Sequence, residues 1–246
     1  MTNPIASFWF GFSTPAKAFR IILSSKKLIL LSIFPVVITL AVYVFLISQF
    51  QERLELQALE RLHSLEVFRN AGFWTSLSEG LIRWLMRLVI FIFAAVSFSV
   101  TSNVLASPFQ DFLAEGSEPF TTPPLNKVES SGLGHHIRVL GLDVLKSLLA
   151  GVGGILAFAI SWIPLINLGA LFMIAMLITF QYLSYPQTRR GMGVGASIGF
   201  LFKHLPTCLG FGVAFSFLLS IPLLSAFFMP LAVVGGTLIF ARCQPK

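Results

Sequence analysis

The sequence predicts an all-α integral membrane protein: two long transmembrane helices, two Pro-broken helical hairpins and amphipathic flanking helices. Three observations predict it. Hydrophobic residues make up 56% of the 246-residue chain and charged residues only 11%, whereas soluble domains carry about a quarter charged residues. Four stretches, Leu28–Gln51, Leu88–Gln110, Ser147–Thr188 and His204–Ala241, contain no Asp, Glu, Lys or Arg. The last two exceed the ~20 residues of one spanning helix, and each carries Ile-Pro-Leu near its middle, in SWIPLINLGA (161–170) and LLSIPLLSAF (218–227).

Residues 1–246 read as a single membrane domain. The opening MTNPIASFWFGF has no basic n-region and no small-residue cleavage site, so it is not expected to be a signal peptide. Residues 5–25 are expected to form an interfacial amphipathic helix. Pro15 suits a first helical turn behind Ser13 or Thr14. Phe12, Phe19, Ile22 and Leu23 make an apolar side, with Lys17 and Arg20 opposite. The first span is expected over 28–50. Residues 51–70 place Leu54, Ala58, Leu62 and Leu65 at helical spacing with mixed charge opposite, which predicts an extramembrane helix. The second span is expected over 81–106, where Ala95, Ser99, Ser102 and Ala106 offer a small-residue packing face. Residues 117–134, rich in Pro, Ser, Thr and Gly, read as a polar loop.

Hairpins are expected over 139–185 and 194–243. Proline lacks an N–H and clashes with the preceding turn, so the runs should turn at Pro164 and Pro222, with Pro230 a second interruption in the last run. The arms come out short and Gly-rich. Two geometries follow: hairpins that stop inside the bilayer, with the turn covered by protein or water, or hairpins that cross it fully.

Charge sets orientation. Arg53, Arg61, Arg69, Arg83 and Arg87 lie between the first two spans, and the other twelve of the 17 basic residues fall on the opposite side. The positive-inside rule then puts both termini in the cytoplasm. The net charge of +7 sits at the ends of apolar runs, which fits headgroup anchoring and anion attraction rather than nucleic acid.

No catalytic pattern appears. The four histidines form no zinc motif, Cys208 and Cys243 have no redox or metal spacing, and neither glycine-rich segment is a phosphate loop. No enzyme activity, metal or cofactor is expected. Apart from His204 at a run's edge, the four apolar runs hold no ionisable relay of the kind proton-coupled pumps use, which favours passive conduction or no transport at all and leaves sodium coupling through backbone carbonyls open. Two segments could hold an anion. In SSKKLILL (24–31), Ser24 or Ser25 can start the first span, and Lys26 and Lys27 fall in its first turn, where free N–H groups attract anions. In TRRGMGVG (188–195), Arg189 and Arg190 could grip an oxyanion in bidentate fashion.

Several phrases resemble the CysZ-type sulfate permeases within the etoposide-induced-protein membrane family. SPFQDFLAE (107–115) is similar to that family's Ala-Pro-Phe and Leu-Ala-Glu signature. QYLSYP (181–186) is similar to its Gln-Tyr-x-Asp-Tyr-Pro, with Ser184 in place of the Asp. IPLLSAFFMPLAVVGGT (221–237) resembles its Ile-Pro-Leu-Leu-Asn phrase and the Met-Pro that follows. The resemblance runs from about residue 10 to 243 and implies two long helices, two partly penetrating hairpins, homo-oligomers, and sulfate uptake feeding cysteine synthesis. It also associates sulfate with a basic pair before the first long helix, where Lys26 and Lys27 stand. The expected function is a passive inner-membrane permease or channel for sulfate or a similar oxyanion in a bacterial cell. The alternative is a non-transporting scaffold that works on lipid or on the assembly of another complex. The expected partners are the oxyanion, membrane lipid and further copies of the chain.

Overall fold

The computed structural model describes residues 3–63, 80–81, 84–85, 87–94, 98, 109–125, 132–161 and 167–244, and every regular element among them is helical. Most of the expected second span (81–106), the end of the 51–70 helix and the Pro164 turn lie outside the described residues.

The N-terminal segment is two helices rather than one. α1 (Pro4–Phe12) starts where the Asn3 side chain accepts from the Ile5 N–H at 3.0 Å. It stops because the Ser13 and Thr14 hydroxyls both donate to the Phe10 carbonyl at 3.0 Å, competing with the backbone. α2 (Thr14–Ser24) then begins with Pro15 in its first turn. Thr14, Ala18 and Ile22 are buried against the last helix of the chain, while Phe12, Phe19 and Leu23 face outward. The apolar side read from the sequence therefore divides. Ile22 joins the core, and the aromatic residues are left for lipid.

α3 (Lys26–His63) is one uninterrupted helix of 38 residues, with Pro35 inside it. No separate helix begins at 51, because Gln, Glu, Arg, Leu and Ala, all good helix formers, fill residues 51–62 with no cap or proline. At 1.5 Å per residue it is about 57 Å long, well beyond the ~30 Å hydrocarbon core. Its apolar part, Lys26–Phe45, is long enough to cross a membrane.

Helical residues 109–117 (α4) lead into a 3-10 turn at Glu118–Phe120. This start of the expected polar loop is packed inward, with Ser117, Glu118, Thr121 and Leu125 buried. The first hairpin follows as α5 (Gly132–Ser161) packed against α6 (Asn167–Arg189). α6 ends in a left-handed glycine: Gly191 has φ +72°, its N–H donates to the Thr188 carbonyl at 2.9 Å, and the Met192 N–H donates to the Gln187 carbonyl at 3.0 Å. That paired arrangement closes a helix because only glycine enters the left-handed region freely.

α7 (Val194–Lys203) and α8 (Leu205–Leu219) meet at His204 with a bend of 98°. α9 (Pro222–Cys243) completes the second hairpin. Its turn is Ser220–Ile221, ahead of the expected Pro222–Ser225, because proline in a first helical turn starts a helix rather than ending one. Pro230 does not interrupt the run. α9 continues through it to Cys243, since neighbouring helices supply the packing that holds a proline-containing membrane helix together.

The core lies where α6, α8 and α9 cross, around Leu183, Phe211, Phe215, Val233 and Ile239. Glycines set the closeness of these crossings. A Cβ on Gly212 would lie 2.0 Å from the Ala175 carbonyl, and one on Gly236 would lie 2.4 Å from that of Tyr182. α1 seats on α8 in the same way, through Gly11 and Gly210. Leu30, Val37, Val44, Leu148, Ile155 and Phe217 are exposed, as lipid-facing residues of a bundle should be.

Each hairpin pairs a long arm with a short one. Asn167–Arg189 and Leu224–Cys243 are long and apolar enough to cross a membrane, whereas the apolar part of α5 is Val144–Ala157 and α8 has 15 residues. A 15-residue helix reaches about 22 Å, short of the ~30 Å core.

Candidate anion site

Ser25 is the hinge between α2 and α3. Its backbone is extended, with φ −136° and ψ 124°, so it ends one helix and begins the next, its carbonyl accepting from the Ile29 N–H at 3.0 Å. Lys26 and Lys27 occupy the first turn of α3 and are both exposed. The next residue, Leu28, is fully buried and fixes that turn in place. A Cβ added to Gly116 would meet the Leu28 side chain at 3.0 Å, so the end of α4 lies directly beside the lysine turn.

That same end of α4 captures the arginine pair. Arg189 meets Glu115 at 3.2 Å and donates to the Asp111 carbonyl at 3.4 Å. Arg190 meets Glu118 at 2.9 Å, donates to the Pro186 carbonyl at 2.9 Å, and lies 5.3 Å from the Phe240 ring centroid. The structure thus gathers Ser25–Lys27 and Arg189–Arg190 around residues 111–118, but with unequal electrostatics. The arginines are neutralised by protein carboxylates and do not form the open oxyanion grip expected from the sequence. Lys26 and Lys27 have no carboxylate partner among the described residues. The expected structural turns separate too: Pro222 opens α9, Pro230 lies within it, and Pro164 is outside the described residues.

Polar groups deeper in the bundle escaped the sequence reading. Lys146 on α5 is fully buried, with its ammonium 2.9 Å from the Thr188 hydroxyl. The one available cue was positional. Lys146 and Thr188 flank the same charge-free run, and a run that folds back at its middle brings its ends together. Gln187 is fully buried, and among the described residues neither its amide atoms nor the buried Ser197 hydroxyl has a hydrogen-bond partner. Tyr185 donates to the Gln110 side-chain oxygen, and the Gln110 amide contacts the Met229 sulfur.

Gln110 also lines a small cavity between α3, α4 and α9, together with Ser32, Pro35, Ala226, Met229 and Pro230. About 10 Å³ of it is open to the centre of a water molecule, room for one water. A proline withholds the N–H that the carbonyl four residues earlier would accept. Pro35 and Pro230 therefore release the Leu31 and Ala226 carbonyls, and all four residues line this cavity. It places such acceptors beside the Gln110 side chain within the bundle.

The family model described as sulfate transporter CysZ/etoposide-induced protein 2.4 matches residues 14–230. Relatives named sulfate transporter CysZ are similar over much of the chain. That of Pseudomonas aeruginosa is 28% identical over 184 residues, covering 69% of this chain and 72% of its own length. One from Pseudomonas fluorescens is 32% identical over 161 residues, 59% of this chain and 61% of its own. That of Pseudomonas syringae pv. tomato is 27% identical over 184 residues, 69% and 70% respectively.

Proposed function

The chain belongs to the family of sulfate transporter CysZ and etoposide-induced protein 2.4, and we propose that it is a passive permease for sulfate or a similar oxyanion. It would act in the bacterial inner membrane, with cytoplasmic termini and as a homo-oligomer, and feed sulfur assimilation and cysteine synthesis. The observation that carries this reading is the exposed Lys26–Lys27 turn at the start of α3, which has no carboxylate partner among the described residues.

The first-turn N–H groups of a helix lack intrahelical acceptors and carry the positive end of its dipole. Two lysines in that turn oppose the dipole, and an oxyanion relieves the opposition. Sulfate drawn there sheds part of its hydration shell and moves between helices. Weak, successive contacts let it leave again. Buried polar side chains along α6 and the proline-lined cavity support a hydrated route. The passive mode rests on the four apolar runs, which hold no Asp, Glu, Lys or Arg to couple protons, His204 standing at the edge of the last. The short arms of both hairpins favour partial penetration of the bilayer.

Radiolabelled sulfate uptake into proteoliposomes tests the site. Lys26→Ala/Lys27→Ala should lower uptake at least about tenfold, as loss of one charge-assisted hydrogen bond of ~1.5 kcal/mol implies. Lys26→Arg/Lys27→Arg should retain uptake, since the guanidinium fork also fits a tetrahedral oxyanion. Undiminished uptake by the alanine pair would remove the site. Absence of sulfate flux through the unaltered protein would favour a non-transporting scaffold.

A further inference from the structure

A second cationic pair stands away from the lysine turn, where the end of α9 meets the corner between α1 and α2. The Lys17 ammonium is 3.6 Å from the centroid of the Phe10 ring, and the guanidinium carbon of Arg242 is 3.7 Å from that same centroid. The two charges are therefore no further apart than those distances combined, about 7.3 Å. Neither has an ion-pair partner among the described residues.

The surroundings hold this arrangement firmly. The Phe10 carbonyl accepts from Ser13 and Thr14 at 3.0 Å and from the Lys17 ammonium at 3.4 Å. Thr14 packs on α9 so tightly that a Cβ on Gly235 would come within 2.8 Å of its methyl group. The α1–α2 corner cannot slide away from α9, so the two backbones keep half-buried Lys17 and exposed Arg242 within reach of each other. Burial, and then the charge of Arg242, hold the Lys17 pKa below its usual 10.5. An aromatic face attracts each cation but carries no net charge, so two positive charges remain uncompensated. Arg20, three residues beyond Lys17 on α2 and exposed, adds a third on the same helix side.

We propose that Lys17 and Arg242, spaced by Phe10, bind one tetrahedral oxyanion, the chemistry shared by a phospholipid phosphate and free sulfate. A tetrahedral oxyanion at the edge of the ring, accepting one ~2.8 Å charge-assisted bond on each of two oxygens, reaches both cations. This site is independent of Lys26–Lys27 and of whether the protein conducts sulfate.

Lysine methylation with carbon-13 and NMR titration tests it on the full chain, with Lys17→Arg assigning the Lys17 resonance. The exposed Lys203 serves as the reference for general surface potential. In delipidated protein in a neutral detergent, added sulfate should raise the Lys17 pKa by about 1 relative to Lys203. Transfer to phosphatidylglycerol nanodiscs without sulfate should do the same if a headgroup is the occupant. Response to sulfate alone assigns a free anion, and response to the nanodisc alone assigns a lipid phosphate. Arg242→Gln should abolish the response, while Arg242→Lys should preserve it. A Lys17 pKa that moves with neither probe, or moves equally in Arg242→Gln, would overturn the proposal.

Discussion

Arg190 and Glu118 form an ion pair of 2.9 Å across 72 residues of sequence, with the Glu118 side chain only 3% exposed. The pair ties the 3-10 turn after α4 to the end of α6. The Glu118 carbonyl holds the following segment by accepting from the Thr121 N–H at 3.2 Å and the Leu125 N–H at 3.5 Å. Removing one partner of a buried pair leaves an uncompensated charge, at about 3–5 kcal/mol. Arg190 is 15% exposed, and water reaching it should hold the loss to about 3 kcal/mol. Glu118→Gln should therefore lower the thermal midpoint in detergent clearly. Glu118→Met/Arg190→Met should recover much of that loss, because well-packed apolar side chains replace such pairs at little cost. A midpoint unchanged in the single variant would contradict this account.

Gly210 should be the least tolerant glycine in α8 toward α1. A Cβ there would lie 2.2 Å from the Phe8 carbonyl, and the reciprocal Cβ on Gly11 would lie 2.1 Å from the Thr207 carbonyl. Both obstacles are backbone, so neither can rotate aside. Gly210→Ala should cost about 1–3 kcal/mol through overpacking and loosen α1 from the bundle. Gly199→Ala is the control, because nothing stands within 4 Å of its added Cβ, and helix propensity should make it neutral or stabilising. Thermal unfolding of the two variants side by side should separate them; equal midpoints would count against the close crossing.

What the sequence made legible was the local chemistry of helix starts and the excess of apolar surface. Pro15 at the start of α2 and the break ahead of Pro222 follow from the missing proline N–H, a property of one residue. The same property misleads at Pro230, which like Pro35 and Pro186 lies inside a helix, because whether a proline ends a helix depends on the neighbours that pack around it. The bend at His204 had a cue in the following Pro206, within the first turn of α8. The arginine pair was visible as charge, but its neutralisation by Glu115 and Glu118 depends on a contact between distant segments. Lys146 read as a surface anchor for the same reason, since only the folded hairpin places Thr188 beside it.

Lys17 should give the protein a measurable alkaline pH dependence. Its pKa is lowered from 10.5 by burial and then by Arg242, and Arg20 on α2 adds a like charge. The unfolded chain then binds more protons than the folded one between the lowered pKa and 10.5, so stability rises with pH across that window. The penalty of the charged form is fully present below the folded pKa and is gone above 10.5. Unfolding midpoints in sulfate-free neutral detergent should climb as the pH rises toward 10.5 in the unaltered protein, relative to Lys17→Met. Parallel pH profiles for the two proteins would rule this out.

Tyr185 and Gln110 should behave as one unit. The Tyr185 hydroxyl donates to the Gln110 side-chain oxygen, and both residues are buried between α4, α6 and α9. Tyr185→Phe removes the donor but leaves the acceptor in place, and an orphaned buried acceptor costs about 1–3 kcal/mol. Gln110→Leu would remove the acceptor of that Tyr185 bond and also take a polar wall from the cavity between Pro35 and Pro230. If the bond is what holds the pair, the two losses should not add in Tyr185→Phe/Gln110→Leu, because neither partner remains to be left unsatisfied. The double variant should be no less stable than the worse single variant, with a coupling of at least about 0.5 kcal/mol. Additive losses in thermal unfolding would mean that the two residues pack independently and that the hydrogen bond contributes nothing of its own.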